Sequence, residues 1–134
     1  MQEAQNRNTE KEAIKFIMNY YGKEWKIIKS KERGYDYLII NKKTSEQRKL
    51  EVKGTLNDRL KVPDLFGTEV DLNSDHGLVA DYLCIVANIA GDKKKFFEIP
   101  KTELRADYFK PKIGYRFQPG IDVMNKLENT YRKQ

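Results

Sequence analysis

Gly34-Tyr35-Asp36-Tyr37-Leu38-Ile39-Ile40, a polar stretch from Asn41 to Gln47, then Leu50-Glu51-Val52-Lys53-Gly54-Thr55: the reading of these residues decides the fold. The first run is aromatic and β-branched, the composition of a well-buried strand. The last alternates apolar and charged side chains and stops at Gly54, so it predicts a partner strand. Because strand side chains alternate, residues 51 and 53 share one face while Leu50 and Val52 pack on the other. A polar turn between two such runs predicts a hairpin, which brings Asp36 toward Glu51 near the strand ends.

Working outward, Ala13, Ile14, Ile17, Met18 and Tyr21 recur at helical spacing behind a Thr9-to-Glu12 capping box, which predicts an amphipathic helix over about 9–21. Glu10 precedes Ala13, Ile14 and Ile17 by three, four and seven residues, so its side chain is expected along the buried stripe. Gly22 ends the helix, and Glu24-Trp25-Lys26-Ile27 alternates like a short strand. Further on, Ala80 to Ile89 and Lys95 to Ile99 read as two strands turned by Gly91-Asp92. Pro100 closes that hairpin, Thr102 is placed to cap a short helix to about Phe109, and Pro111 with Gly114 reads as a break. A last helix is predicted over Ile121 to Tyr131, with Ile121, Met124, Leu127 and Tyr131 on one face. Residues 55–79 show no clean period, and a helix around Phe66 to Leu72 stays an alternative to a long loop. The order of elements gives an α/β or α+β sheet with helical cover.

A chain of 134 residues is one domain's worth of polypeptide, so residues 1–134 read as a single domain. Charged residues make up 34% of the chain, but eight Tyr, six Phe and one Trp supply enough apolar surface for a core. The single cysteine, Cys84, excludes an internal disulfide and reads as a small core residue. His76 is the only histidine, so a Cys/His metal site is also excluded and any metal must be held by oxygen. No apolar run is long enough to span a membrane and no secretory leader opens the sequence, which gives the expectation of a cytoplasmic protein with no membrane partner. The net charge of +6 favours a polyanionic partner, nucleic acid first.

Two carboxylates brought together on adjoining strands repel unless a cation lies between them. Asp36, Glu51 and the Val52 backbone carbonyl would suit a hard divalent ion, Mg²⁺ or Mn²⁺. Such an ion stabilises charge on a phosphorane-like transition state and acidifies water. Lys53 would then neutralise the scissile phosphate, and Glu10 would bind a second metal, its water or Lys53. Acid-x-Lys alone means little, since Glu24–Lys26 and Asp92–Lys94 repeat it. Only Glu51–Lys53 lies between apolar strand residues at hairpin distance from an aspartate. The bland alternative is a cross-strand salt-bridge cluster. Thr55 and the basic run Lys93, Lys94 and Lys95 are candidate phosphate contacts, set against ordinary roles in turns.

Glu10 on a leading helix, Gly34-Tyr35-Asp36 opening a strand and Leu50-Glu51-Val52-Lys53-Gly54-Thr55 together resemble the PD-(D/E)XK nuclease-like superfamily. The phrasing looks most like the domain at the C-terminus of the plant protein NO VEIN and its prokaryotic relatives. The likeness covers residues 9–55, and Tyr35 stands where the superfamily motif has proline. It implies a restriction endonuclease-like fold, a central mixed sheet of about four to five strands flanked by helices. It also implies a metal-dependent endonuclease acting on DNA ahead of RNA, with Asp36 and Glu51 as metal ligands, Lys53 as catalytic lysine and Glu10 as the helix glutamate. A homodimer stays open, as does a catalytically inactive nucleic-acid-binding or adaptor module that keeps the fold.

Overall fold

Alternation sorts the residues of the central sheet onto two faces, and each face is covered by one helix. The computed structural model describes residues 2–32, 35–66, 80–104, 108–112 and 114–134. Helix α1 (Gln2–Tyr21) leads through a short 3₁₀ turn into β1 (Trp25–Lys29), followed by β2 (Tyr37–Asn41) and β3 (Gln47–Gly54). The chain continues through β4 (Val62–Phe66), β5 (Tyr82–Ala87), β6 (Lys95–Pro100), β7 (Phe109–Lys112) and β8 (Gly114–Phe117) to α2 (Ile121–Tyr131). The main sheet has the order β1-β2-β3-β5-β6 and is mixed: β3 and β5 run parallel and the other neighbours antiparallel. A second sheet has the order β4-β8-β7.

Ala13, Ile17 and Tyr21 of α1 pack on Leu50, Val52, Cys84, Val86 and Phe96. On the opposite face, Met124 and Leu127 of α2 pack with Leu83, Ile85, Phe97 and Ile99. Every side chain of β5 from Leu83 to Ala87 is buried, as expected for a strand with neighbours on both edges and a helix on each face. Among the described residues no helix is long and apolar enough to cross a membrane.

The mixed α/β architecture, the hairpin of β2 and β3, the hairpin of β5 and β6 and the bounds of the last helix match the sequence reading, although Ile121, expected on that helix's apolar face, is 59% exposed. Several expectations are corrected. Helix α1 begins at Gln2, so Thr9 lies inside it and cannot serve as an N-cap, which requires non-helical backbone. Met18 is 43% exposed, so the apolar stripe is narrower than its spacing suggested. The stretch after Thr55 contains β4, whose last residue is Phe66; 67–72, the rest of the alternative helix, lie outside the described residues, as do Gly34 and His76. Thr102 belongs to a 3₁₀ turn of three residues and Phe109 opens β7 instead of closing a helix. Pro111 and Gly114 do not break structure but stand on two antiparallel strands. Both prolines that obscured strands, Pro63 on β4 and Pro111 on β7, occupy edge strands of the small sheet, where a missing N–H costs no ladder bond.

Candidate functional site

Strand direction gathers the candidate residues at one end of the main sheet. Lys29 at the end of β1 opposes Tyr37 at the start of β2. Tyr37 opposes Leu50, so Glu51, Val52 and Lys53 run on past the point where β2 begins. Because β3 and β5 are parallel, Gly54 lies beside Val86, and the β5–β6 turn carrying Lys93 to Lys95 emerges at that same end.

Asp36 joins the two strands at this end. Its backbone N–H donates to the Leu50 carbonyl at 2.8 Å, and its Oδ2 accepts the Val52 N–H at 2.7 Å. A side-chain oxygen thus serves the strand donor that β2 stops too soon to reach. In a ladder, the N–H and C=O of one residue leave the same edge, so the Val52 carbonyl also lies on the Asp36 side of β3.

Glu51 is half-buried by this packing, and its carboxyl is pushed up to about 7. Burial is the largest cause and the Asp36 carboxylate the next, with the Lys53 ammonium opposing them and the Glu10 carboxylate adding to the rise. The same acids reach Tyr37, whose phenol is raised first by burial and then by Asp36 and Glu10. The charges of Asp36, Glu10 and Lys53 are therefore all felt at Glu51, with the acids outweighing the lysine.

Glu10 arrives there because α1 crosses β3 very closely. A Cβ on Gly54 would stand 2.6 Å from the Thr9 carbonyl oxygen and 3.2 Å from the Ala13 Cβ, so glycine is what permits the approach. Glu10 itself is exposed, not buried along the stripe as its spacing predicted. Its place is the wall of a cleft of about 410 Å³, shared with Lys11, Lys29, Glu32, Tyr35 and Asp36. Glu51 and Lys53 are not among the residues lining that cleft; Asp36 links the two.

The remaining candidates are placed differently. Thr55 is buried, and its hydroxyl donates to the Lys61 carbonyl at 2.8 Å while accepting from the Asn57 N–H, so it organises the loop after β3. Lys95 Nζ donates to the Asp58 carbonyl at 3.1 Å and Lys94 Nζ lies 3.4 Å from the Gly91 carbonyl. Sequence reasoning missed Lys11 and Lys29 as cleft residues, because nothing in local spacing distinguishes them from other surface residues, and it read Tyr35 as core or rim ahead of a base-stacking platform. It also missed Glu98, which lies buried on the α1 face. Glu98 accepts from the Tyr21 hydroxyl and from Arg48 Nη1 at 2.9 Å, and Arg48 is held between the rings of Trp25 and Tyr82 at 5.0 and 4.8 Å. The one signal was a charged residue inside the otherwise apolar run Phe96-Phe97-Glu98-Ile99.

Among the described residues no three His, Cys, Asp or Glu side chains are grouped closely enough to hold an ion by themselves. The donor set is instead two strand carboxylates with a backbone carbonyl beside them. That set fits Mg²⁺, which keeps several waters and is bound through one or two carboxylates plus substrate phosphate. Comparison with family models, with curated proteins and with solved structures gives no match to this chain.

Proposed function

We propose that this chain is a metal-dependent nuclease of the PD-(D/E)XK type with a restriction endonuclease-like fold, hydrolysing phosphodiester bonds in DNA ahead of RNA. The observation that carries this reading is the placing of Asp36, Glu51, Lys53 and Glu10 at one sheet end, with Glu51 raised first by burial and then by the acids Asp36 and Glu10. Asp36, Glu51 and the Val52 carbonyl would hold Mg²⁺ or Mn²⁺, with Glu10 as a further ligand. When bound, the ion supplies Lewis-acid stabilisation of the charge that grows on the phosphate oxygens.

The chain's own residues do the rest. Lys53 offers ammonium donors to a non-bridging oxygen of the scissile phosphate. Asp36, through Val52, fixes the end of β3 and with it the placing of Glu51 and Lys53. Lys29 and the lysines of the β5–β6 turn lie at the same sheet end and attract the nucleic-acid backbone. In the reaction a water oxygen forms a bond to phosphorus, the bond from phosphorus to the departing sugar oxygen breaks, and that oxygen takes up a proton. A second reading, an inactive nucleic-acid-binding or adaptor module, is favoured by one observation: Asp36 Oδ2 is already engaged by the Val52 N–H.

The test is cleavage of single-stranded, duplex and branched DNA and of RNA with Mg²⁺ or Mn²⁺, repeated with a chelator. Cleavage that the chelator abolishes, and that Glu51→Ala lowers by about 10²–10³-fold or more, is the expected result. Equal activity of wild type and Glu51→Ala would overturn the reading. Salt-dependent binding without metal uptake in calorimetric titration would select the inactive module.

A further inference from the structure

The cleft beside the acidic residues is too small for a double helix. A volume of about 410 Å³ lies in the range of small-ligand pockets. It equals a sphere roughly 9 Å across, whereas the major groove of a duplex alone is about 12 Å wide. One nucleotide fits such a space and a base pair in its helix does not.

Its walls suit the parts of a nucleotide separately. Lys11 from α1 and Lys29 from the end of β1 are exposed ammonium groups, point charges for phosphate oxygens. Tyr35 presents an aromatic surface whose position is fixed from two sides. Lys49 Nζ lies 5.2 Å from its ring centroid, and its hydroxyl is within 3.4 Å of Glu32 Oε2. Glu32 repels phosphate but accepts hydrogen bonds from base amino groups, which sorts the two ends of a nucleotide within the cleft. Asp36 belongs both to this wall and to the strand ends that carry Glu51 and Lys53, so a nucleotide seated here lies next to the proposed reacting bond.

We infer that the cleft receives one unpaired nucleotide of the substrate strand, with its base against Tyr35 and its phosphate between Lys11 and Lys29. The substrate class is then single-stranded or frayed nucleic acid, not intact duplex. This inference rests on the nuclease reading for its biological sense, but the binding it describes does not require turnover.

The experiment measures fluorescence anisotropy of a fluorescein-labelled single strand of about ten nucleotides, a blunt hairpin of matching sequence closed by a non-nucleotide linker, and the same hairpin with an overhang. Ca²⁺ replaces Mg²⁺ to hold turnover off, and cleavage is followed separately with Mn²⁺. The single strand and the overhang should bind at least about tenfold more tightly than the blunt hairpin, and Tyr35→Leu should remove about tenfold of that binding. Tyr35→Trp should keep it, which separates loss of stacking from loss of fold. Lys29→Ala should lower the salt dependence of binding by about one phosphate contact. Equal binding of hairpin and single strand, absence of single-strand binding, or a Tyr35→Leu variant with wild-type affinity each overturns the inference. Cleavage of blunt duplex as fast as single strand defeats it and leaves the nuclease reading standing; single-strand binding with no cleavage under any metal does the reverse.

Discussion

Glu51 and Glu98 are both carboxylates drawn out of water on the same sheet, yet their surroundings are opposite in kind. Glu98 faces α1 and is 5% exposed, with the Tyr21 hydroxyl on one oxygen and the Arg48 guanidinium on the other. Glu51 faces away from α1, and its electrostatic neighbours are two more acids and one lysine. A buried charge that is fully paired holds a fold in one arrangement, whereas one pressed against like charges is unfavourable until something else binds. Among the described residues no buried side-chain nitrogen or oxygen lacks a partner, so the imbalance around Glu51 is one of charge and not of missing hydrogen bonds.

Substitution should expose the difference. Glu98→Ala leaves the Tyr21 hydroxyl without its carboxylate and Arg48 with only the exposed Glu46, and we expect a loss of about 3 kcal/mol in chemical denaturation. That figure is at the low end for a buried pair because the Arg48 side chain is 24% exposed. Glu51→Gln should do the opposite at pH 8 and raise stability, and equal losses from the two variants would erase the contrast.

A smaller effect should follow pH. The Glu51 carboxyl moves from an ordinary 4.5 to about 7 on folding. Between those values the folded chain holds a proton that the unfolded chain has released, so this residue's contribution to stability falls as pH rises through that window. At full strength the shift corresponds to about 3 kcal/mol, and solvent screening of the half-buried carboxyl should cut the drop to about 2 kcal/mol in metal-free buffer; it should vanish in Glu51→Gln and shrink when Mg²⁺ is added. Denaturation midpoints measured between pH 4.5 and 8 would show it. A profile that Glu51→Gln leaves unchanged would locate the titration elsewhere.

The smallest expected change comes from Gly54→Ala. An added methyl group would meet the Thr9 carbonyl, a backbone atom that moves only with its helix, so a cost of about 1–2 kcal/mol is expected. Cleavage should fall with it, because α1 carries Glu10. Wild-type stability together with wild-type cleavage would show that the close helix crossing does not place the glutamate.

The contrast between the two glutamates was only half legible beforehand. Glu51 could be singled out because Leu50, Val52 and Gly54 frame it on a short alternating strand whose hairpin partner carries Asp36. Glu98 could not, since its partners Tyr21 and Arg48 lie 77 and 50 residues away in sequence. The main sheet was readable for the same local reason, and the last helix was found at its observed bounds. Strands β4 and β7 were not, because each contains a proline, and only the sheet order shows that those prolines sit on edges. Glu10 was singled out by its helical spacing, which gave the right neighbourhood but the wrong exposure. Periodicity reports which side of a helix meets the core, while the reach of a side chain over the end of a sheet depends on where the neighbouring strand stops.

The last residues of the chain lie along β6: the Phe96 N–H donates to the Gln134 carbonyl, the Lys133 N–H donates to the Phe96 carbonyl, and Arg132 bridges to Phe97. The start of that flank of the main sheet is thereby covered, and β1 is the terminal strand at the other flank. Among the described residues the outer edge of β1, whose end borders the cleft, carries no neighbouring strand. Lys26 and Lys29 on β1 guard it, since bringing another strand alongside would crowd positive charges together.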